Sequence, residues 1–227
     1  MTEQPNPDMP FGVAIDPTYS GAFSHGWQTM KKYFIELLVV IFVLGLFSIP
    51  MGIVNSFVDR ATFDYSSFTI FGVAYGIIVL APVSYGVNWV FLKAVRNEPF
   101  KTYDIFMAFQ NIWNVVLANI FVGIIVGIGF VLLIVPGIIF ACRLAFVPFL
   151  VMDQKLEAIE AIKKSWEMTG GFSWTIFGMA IMSFFIAIAG VICFIVGIFP
   201  AIIWIESAFA SLYWAVATKN NAVRQIL

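Results

Sequence analysis

Six apolar runs dominate this chain and leave it one environment in which to fold. They fall at about 34–57, 68–92, 113–135, 137–152, 174–199 and 201–218. A helix needs about 20 apolar residues to cross a hydrocarbon layer of about 30 Å. Inside that layer every backbone N–H and C=O must be paired within the segment, which a helix does unaided. The composition leads to the same place. Of 227 residues, 61% are hydrophobic and 11% charged, whereas a soluble domain carries about 25% charge. So few charges cannot cover a water-facing surface, which excludes a soluble enzyme and a disordered chain. The net charge of −1 also excludes a nucleic-acid module, which needs a basic patch. The fourth run is the shortest: at 1.5 Å per residue its 16 residues reach only about 24 Å, so it must borrow flanking residues, thin the bilayer or re-enter.

Residues 1–18 hold Pro5, Pro7, Pro10 and Pro17 and no apolar core of a signal peptide. They are expected to form a flexible tail ahead of a retained first span. A single membrane domain over 19–218 and a short cytoplasmic tail over 219–227 complete the expected organisation. Basic residues set the orientation. Lys31, Lys32, Lys93, Arg96, Lys101, Lys155, Lys163, Lys164, Lys219 and Arg224 fall on one side, only Arg60 on the other, and Arg143 inside a span. Both termini are therefore expected in the cytoplasm.

Three turns on the opposite side share a pattern: Ile49-Pro50-Met51-Gly52-Ile53, Val135-Pro136-Gly137-Ile138-Ile139 and Phe199-Pro200-Ala201-Ile202-Ile203. Proline lacks an N–H and ends or kinks a helix, so each is expected to break the chain between two spans. A second pattern precedes each pair of spans: an apolar residue, two others, a small residue, an aromatic, then Gln or Glu. It reads Phe23-Ser24-His25-Gly26-Trp27-Gln28, Ile105-Phe106-Met107-Ala108-Phe109-Gln110 and Ile162-Lys163-Lys164-Ser165-Trp166-Glu167. Each copy lies on a stripe of apolar residues at helical spacing with polar groups opposite. Trp27, Phe109 and Trp166 are the expected interfacial anchors. The sequence thus predicts an all-α, polytopic membrane protein. Its six transmembrane helices form three Pro-broken hairpins, each preceded by an interfacial amphipathic helix, with both ends inside.

The chain resembles a family of poorly characterised bacterial six-helix membrane proteins, whose region also occurs as the membrane domain of glycerophosphodiester phosphodiesterases. Several stretches carry the resemblance: Tyr85-Gly86-Val87, Phe91-Leu92-Lys93-Ala94-Val95-Arg96, the turn at Pro136 with Arg143, and Phe146-Val147-Pro148-Phe149. The most telling is Glu160-Ala161-Ile162-Lys163-Lys164-Ser165-Trp166-Glu167-Met168-Thr169, followed by Trp174 and Phe177; Gly26-Trp27 with Lys31-Lys32 adds to it. The resemblance implies six helices and a membrane location, with no established activity. No soluble stretch approaches the roughly 250 residues of a phosphodiesterase barrel, so that activity is not implied.

Two ionisable residues fall clearly inside spans. Arg143 follows Pro136 by seven residues and Glu206 follows Pro200 by six. Intramembrane charges seek partners, so the two are expected to pair. Such a pair would lock two hairpins together or line a polar pocket with Tyr85, Asn88, Asn114 and Asn119; alternatively Arg143 snorkels from a short span. Gly72-x-x-x-Gly76 and Gly123-x-x-x-Gly127 suggest close helix packing within the chain. His25, Asp153, Glu157 and Glu160 read as solvated, and Cys142 and Cys193 as small buried hydrophobes. No phosphate loop, nucleophilic triad or metal-ligand spacing is present, so no cofactor, metal or enzymatic activity is expected. Two functions stay open, ahead of a third, a membrane enzyme acting on lipid, for which the residues are missing. One is a non-enzymatic scaffold, regulator or accessory subunit of the inner membrane, in contact with lipids and with other membrane proteins or a second copy. The other is a small transporter for a lipid-like or small amphiphilic substrate.

Overall fold

The computed structural model describes residues 15–60, 65–192 and 197–226, with side chains for all of these but 54–60, 65–69 and 221–226. The expected tail over 1–18 falls almost wholly outside the described residues, as does Cys193. Among the described residues ten α-helices follow one another: α1 Tyr19–Lys32, α2 Phe34–Arg60, α3 Tyr65–Tyr75, α4 Ala81–Val95, α5 Ile112–Leu132, α6 Ile134–Leu144, α7 Val147–Asp153, α8 Ala158–Met168, α9 Ser173–Ile192 and α10 Ile198–Ile226. A π-helical turn, Gly76–Leu80, joins α3 to α4, and a 3₁₀ segment, Thr102–Asn111, leads into α5. No strand occurs among the described residues.

Among the described residues six helical stretches are long and apolar enough to span a membrane: Phe34–Ile53, Ile70–Val95, Thr102–Leu132, Ile134–Asp153, Ser173–Ile192 and Ile198–Asn220. The chain is a multi-pass membrane protein. Burial alternates along it. The most apolar windows of the first, third and fifth spans are 17% buried, while those of the second, fourth and sixth are 39%, 44% and 50% buried. The even-numbered spans therefore form the centre, and the others lay their apolar faces outward, as Ile124 and Phe184 do.

The prolines sit differently from the sequence expectation. Pro136 and Pro200 are each the third residue of a helix, α6 and α10. The N–H groups of the first turn have no partner within the helix, so a proline there forfeits nothing. The fourth and sixth spans consequently start at Ile134 and Ile198, ahead of their prolines, and the fourth reaches 20 residues. The chain turns instead at Leu133, an extended residue (φ −165°, ψ 152°). Pro50 lies inside α2, which continues to Arg60. A proline frees carbonyls one turn below it, and the Tyr75 hydroxyl donates to the Phe47 carbonyl at 2.8 Å. The π turn stands directly before Pro82, with the Ala81 N–H bonded back to Gly76 O. At the far end, α10 runs on to Ile226, so most of the expected 219–227 tail is helix.

The three copies of the repeated motif dock onto the central spans through their small residue. In α1, Gly26 crosses α10 so closely that a Cβ would lie 2.7 Å from Ala208 N. In the 3₁₀ segment Ala108 is fully buried, and in α8 the buried Ser165 donates to Arg143 O at 2.7 Å. The aromatic that follows stays at the rim: Trp27 is 42% and Trp166 39% exposed, and Phe109 is half-buried beside Phe106. Of the expected glycine pairs, Gly72 is buried, but the other three members do not pack helices. Added Cβ atoms on Gly76, Gly123 and Gly127 would meet nothing within 4 Å. Close approach is made elsewhere: at Gly26, at Gly86 against Ile105, and where Gly129 of α5 meets Gly137 of α6.

Candidate functional site

One end of the bundle gathers the charges. α4 stops there because Asn97 takes a left-handed conformation (φ 55°). The Glu98 N–H then reaches Lys93 O and the Asn97 N–H reaches Ala94 O, the paired bonds of a Schellman cap. The cap leaves Arg96 pointing at α7. Its two terminal nitrogens donate to the two carboxylate oxygens of Asp153 at 2.6 and 2.7 Å, a bidentate pair. Tyr213 of α10, fully buried, donates its hydroxyl to the same carboxylate at 2.8 Å and stacks on Phe149. Arg96, Asp153 and Tyr213 thus tie the three central spans together. Burial disfavours the charged Arg96 guanidinium, but the hydrogen bonds and negative charge of Asp153 outweigh this and hold its pKa above the ordinary value.

Around this knot Lys93 pairs with Asp104 at 2.8 Å, and Asp104 also accepts the Lys101 N–H, fixing the start of the 3₁₀ segment. Lys32 of α1 and the Tyr33 hydroxyl donate to the Asn97 side chain. Asp153, read from the sequence as solvated, is therefore a half-buried acceptor shared by Arg96 and Tyr213. The sequence reasoning did not single out Arg96, Asp153 or Tyr213 as a unit. The one available signal was the placement of Arg96 and Asp153 just past the ends of two central spans.

The expected ion pair between Arg143 and Glu206 is not formed. Arg143 lies at the end of α6 and turns to α8: Nη1 donates to Trp166 O at 3.2 Å, and the guanidinium lies 5.3 Å from the Trp166 ring centroid. Its own carbonyl accepts the Ser165 and Thr169 hydroxyls. These local partners fix it beside α8, whereas Glu206 is half-buried on α10, the helix that packs on α1. The four proposed lining residues do not join them. Tyr85 is buried and Asn88 half-buried on α4; Asn114 donates to Asn111 within its own turn, and Asn119 is half-buried on α5. Among the described residues no hydrogen bond or ion pair links any of these six to another. Cys142, next to Arg143, is a buried free thiol.

His25 is not the solvated side chain expected. It is half-buried between α1 and α10, with Nδ1 3.0 Å from Ser211 Oγ. Ser211 spends its single proton on Ser207 O at 2.7 Å, so Nδ1 is the donor and the neutral ring carries its proton there. Burial lowers the His25 pKa below its ordinary 6.5. The unfolded chain then binds this proton more readily, and stability falls as pH drops below about 6.5 towards the lower folded value. Unfolding midpoints of wild type and His25→Asn at pH 7.5 and pH 5 check this: the acid-induced drop is expected to be smaller in the variant.

Comparisons of the chain with protein-family models, with curated proteins and with solved structures give no match. Among the described residues there is no group of three or more His, Cys, Asp or Glu placed to hold a metal ion.

Proposed function

We propose that this chain is a non-enzymatic scaffold, regulator or accessory subunit of a bacterial inner membrane, in contact with lipids and with another membrane protein or a second copy. Its six spans run as three successive hairpins, and its basic end faces the cytoplasm with both termini. The kinship to the six-helix membrane family, read from the motifs above, belongs to the same proposal. One observation carries it. Each short segment bearing the repeated motif is bolted to the central spans through Gly26, Ala108 or Ser165, yet keeps aromatic side chains at its rim. Lys31 lies near the Trp27 ring and Lys101 near the Tyr103 ring. Aromatic and basic residues fixed at one level suit the headgroup layer and offer a rigid face to a partner.

A photo-crosslinking amino acid at Trp27 or Tyr103 in living cells is expected to capture one reproducible protein band, while the same probe at Phe184, on an outward apolar face, captures none. Equal capture at all three positions overturns the scaffold reading. The transporter reading draws on Glu206, a half-buried carboxylate without an ion pair among the described residues. It requires substrate-dependent uptake in proteoliposomes that Glu206→Gln abolishes.

A further inference from the structure

Arg143 stands at one end of a groove that the function above does not use. The groove has a volume of about 380 Å³. Val135, Ile138, Ile139 and Cys142 form its α6 wall, Phe177 its α9 wall, and Arg143, Ser173 and Trp174 complete it. The α6 residues recur at three- and four-residue intervals, which places them on one helix face. Arg143 is midway along the stretch Ile134–Asp153. Yet its carbonyl accepts the Thr169 hydroxyl and its side chain shares the groove with Ser173 and Trp174, so it stands level with the start of the fifth span, and Val135 lies about 12 Å further along the groove. Trp174, 85% exposed in the first turn of α9, marks the mouth beside Arg143. Such a tryptophan belongs at headgroup depth.

The charge at this mouth is uncompensated. Arg143 makes no ion pair among the described residues, and none of the lining residues is a carboxylate. Its Nε is buried without a partner. Of its five donors, the structure engages only Nη1, with Trp166 O. The Trp166 ring centroid lies 5.3 Å from the guanidinium carbon, and Nη2 makes no hydrogen bond among the described residues, which leaves it to donate to an oxyanion.

We infer that this groove holds one acyl chain of an anionic phospholipid, with the lipid phosphate on Arg143. A chain fills the apolar length, and the phosphate supplies the missing counter-charge. With no carboxylate in the lining to receive a headgroup cation, zwitterionic lipids fit less well. The site gives the lipid contact of the proposed function a residue and a ligand class, and it rests on that reading only for the membrane orientation.

Native mass spectrometry of the full chain tests it, with equimolar phosphatidylglycerol and phosphatidylcholine of matched chains. Both lipids present a phosphate to Arg143, so the preference rests on the choline ammonium, which Arg143 repels and no carboxylate receives. Wild type is expected to retain about tenfold more phosphatidylglycerol, the size of one like-charge contact avoided. Arg143→Gln is expected to erase that preference, and Arg143→Lys to keep part of it. Ile139→Trp, which fills the groove and leaves the charge, is expected to lower retention of both lipids. Equal retention of the two lipids by wild type overturns the inference, as does an unchanged preference in Arg143→Gln. If that variant does not fold, undiminished retention by Ile139→Trp overturns it instead. Glycerol phosphate, which has no chain, is expected not to bind at matched concentration; binding there would make the ligand a soluble phosphate ester and reject the lipid. Crosslinking at Trp27 does not involve the groove, so loss of lipid selectivity with the protein partner retained would remove this inference alone.

Discussion

Asp153→Ala is expected to destabilise the fold by about 3–5 kcal/mol, the usual consequence of removing one member of a buried ion pair. The Arg96 and Asp153 side chains are only 18% and 13% exposed, so solvent screens their interaction weakly. Without the carboxylate, Arg96 keeps only Glu98 at 3.9 Å, and the buried Tyr213 hydroxyl loses its acceptor. Because the three residues belong to three different central spans, the loss falls on the packing of the centre. Replacing the pair together, Arg96→Met with Asp153→Leu, should recover much of the stability, since no charge is then left buried alone. Denaturant titration in detergent micelles measures both. A double variant no more stable than Asp153→Ala would show that the pair contributes more than mutual neutralisation.

Gly86→Ala is the second large effect. A Cβ there would stand 1.7 Å from Ile105 O and 2.6 Å from its carbonyl carbon. Both are backbone atoms, so no rotamer relieves the clash and the 3₁₀ segment must move. The segment carries Asp104, whose 2.8 Å bond to Lys93 would be strained or broken. Overpacking of this kind costs about 1–3 kcal/mol and sometimes more. Gly123→Ala is the internal control. Nothing lies within 4 Å of its added methyl, and alanine favours helix by about 1 kcal/mol over glycine. The thermal midpoint is expected to fall for Gly86→Ala and to hold or rise for Gly123→Ala.

The spans were legible because apolar length is a direct consequence of bilayer thickness. Their ends were less so. A proline reads equally as the end of one helix or the first turn of the next, and at Pro136 and Pro200 the second holds. The repeated motif falls on two short α-helices, α1 and α8, but its second copy is a 3₁₀ stretch that runs straight into α5 as part of the third span, not a separate amphipathic helix. What its small residue does, seat Gly26, Ala108 and Ser165 against the centre, needed the partner helices to be in place. Charges were read least well. Sequence hydropathy tells that Arg143 and Glu206 lie among apolar residues but not which face each occupies, so the two seemed natural partners although α6 turns Arg143 to Trp166. Conversely, Asp153 stands beside a polar stretch and looks solvated, yet the Schellman cap at Asn97 and the end of α7 bring it onto Arg96.

The central claim is that the basic end of the bundle, with its three aromatic-rimmed segments, faces the cytoplasm. Two-sided cysteine labelling tests it most directly, in a chain with Cys142 and Cys193 replaced by Ala. Lys31→Cys, Lys101→Cys and Lys163→Cys, one beside or within each segment, are expected to react with a membrane-impermeant maleimide in inverted vesicles and not in intact spheroplasts. Arg60→Cys is expected to do the reverse. Labelling of any of the three lysine positions from the outer face would contradict the account.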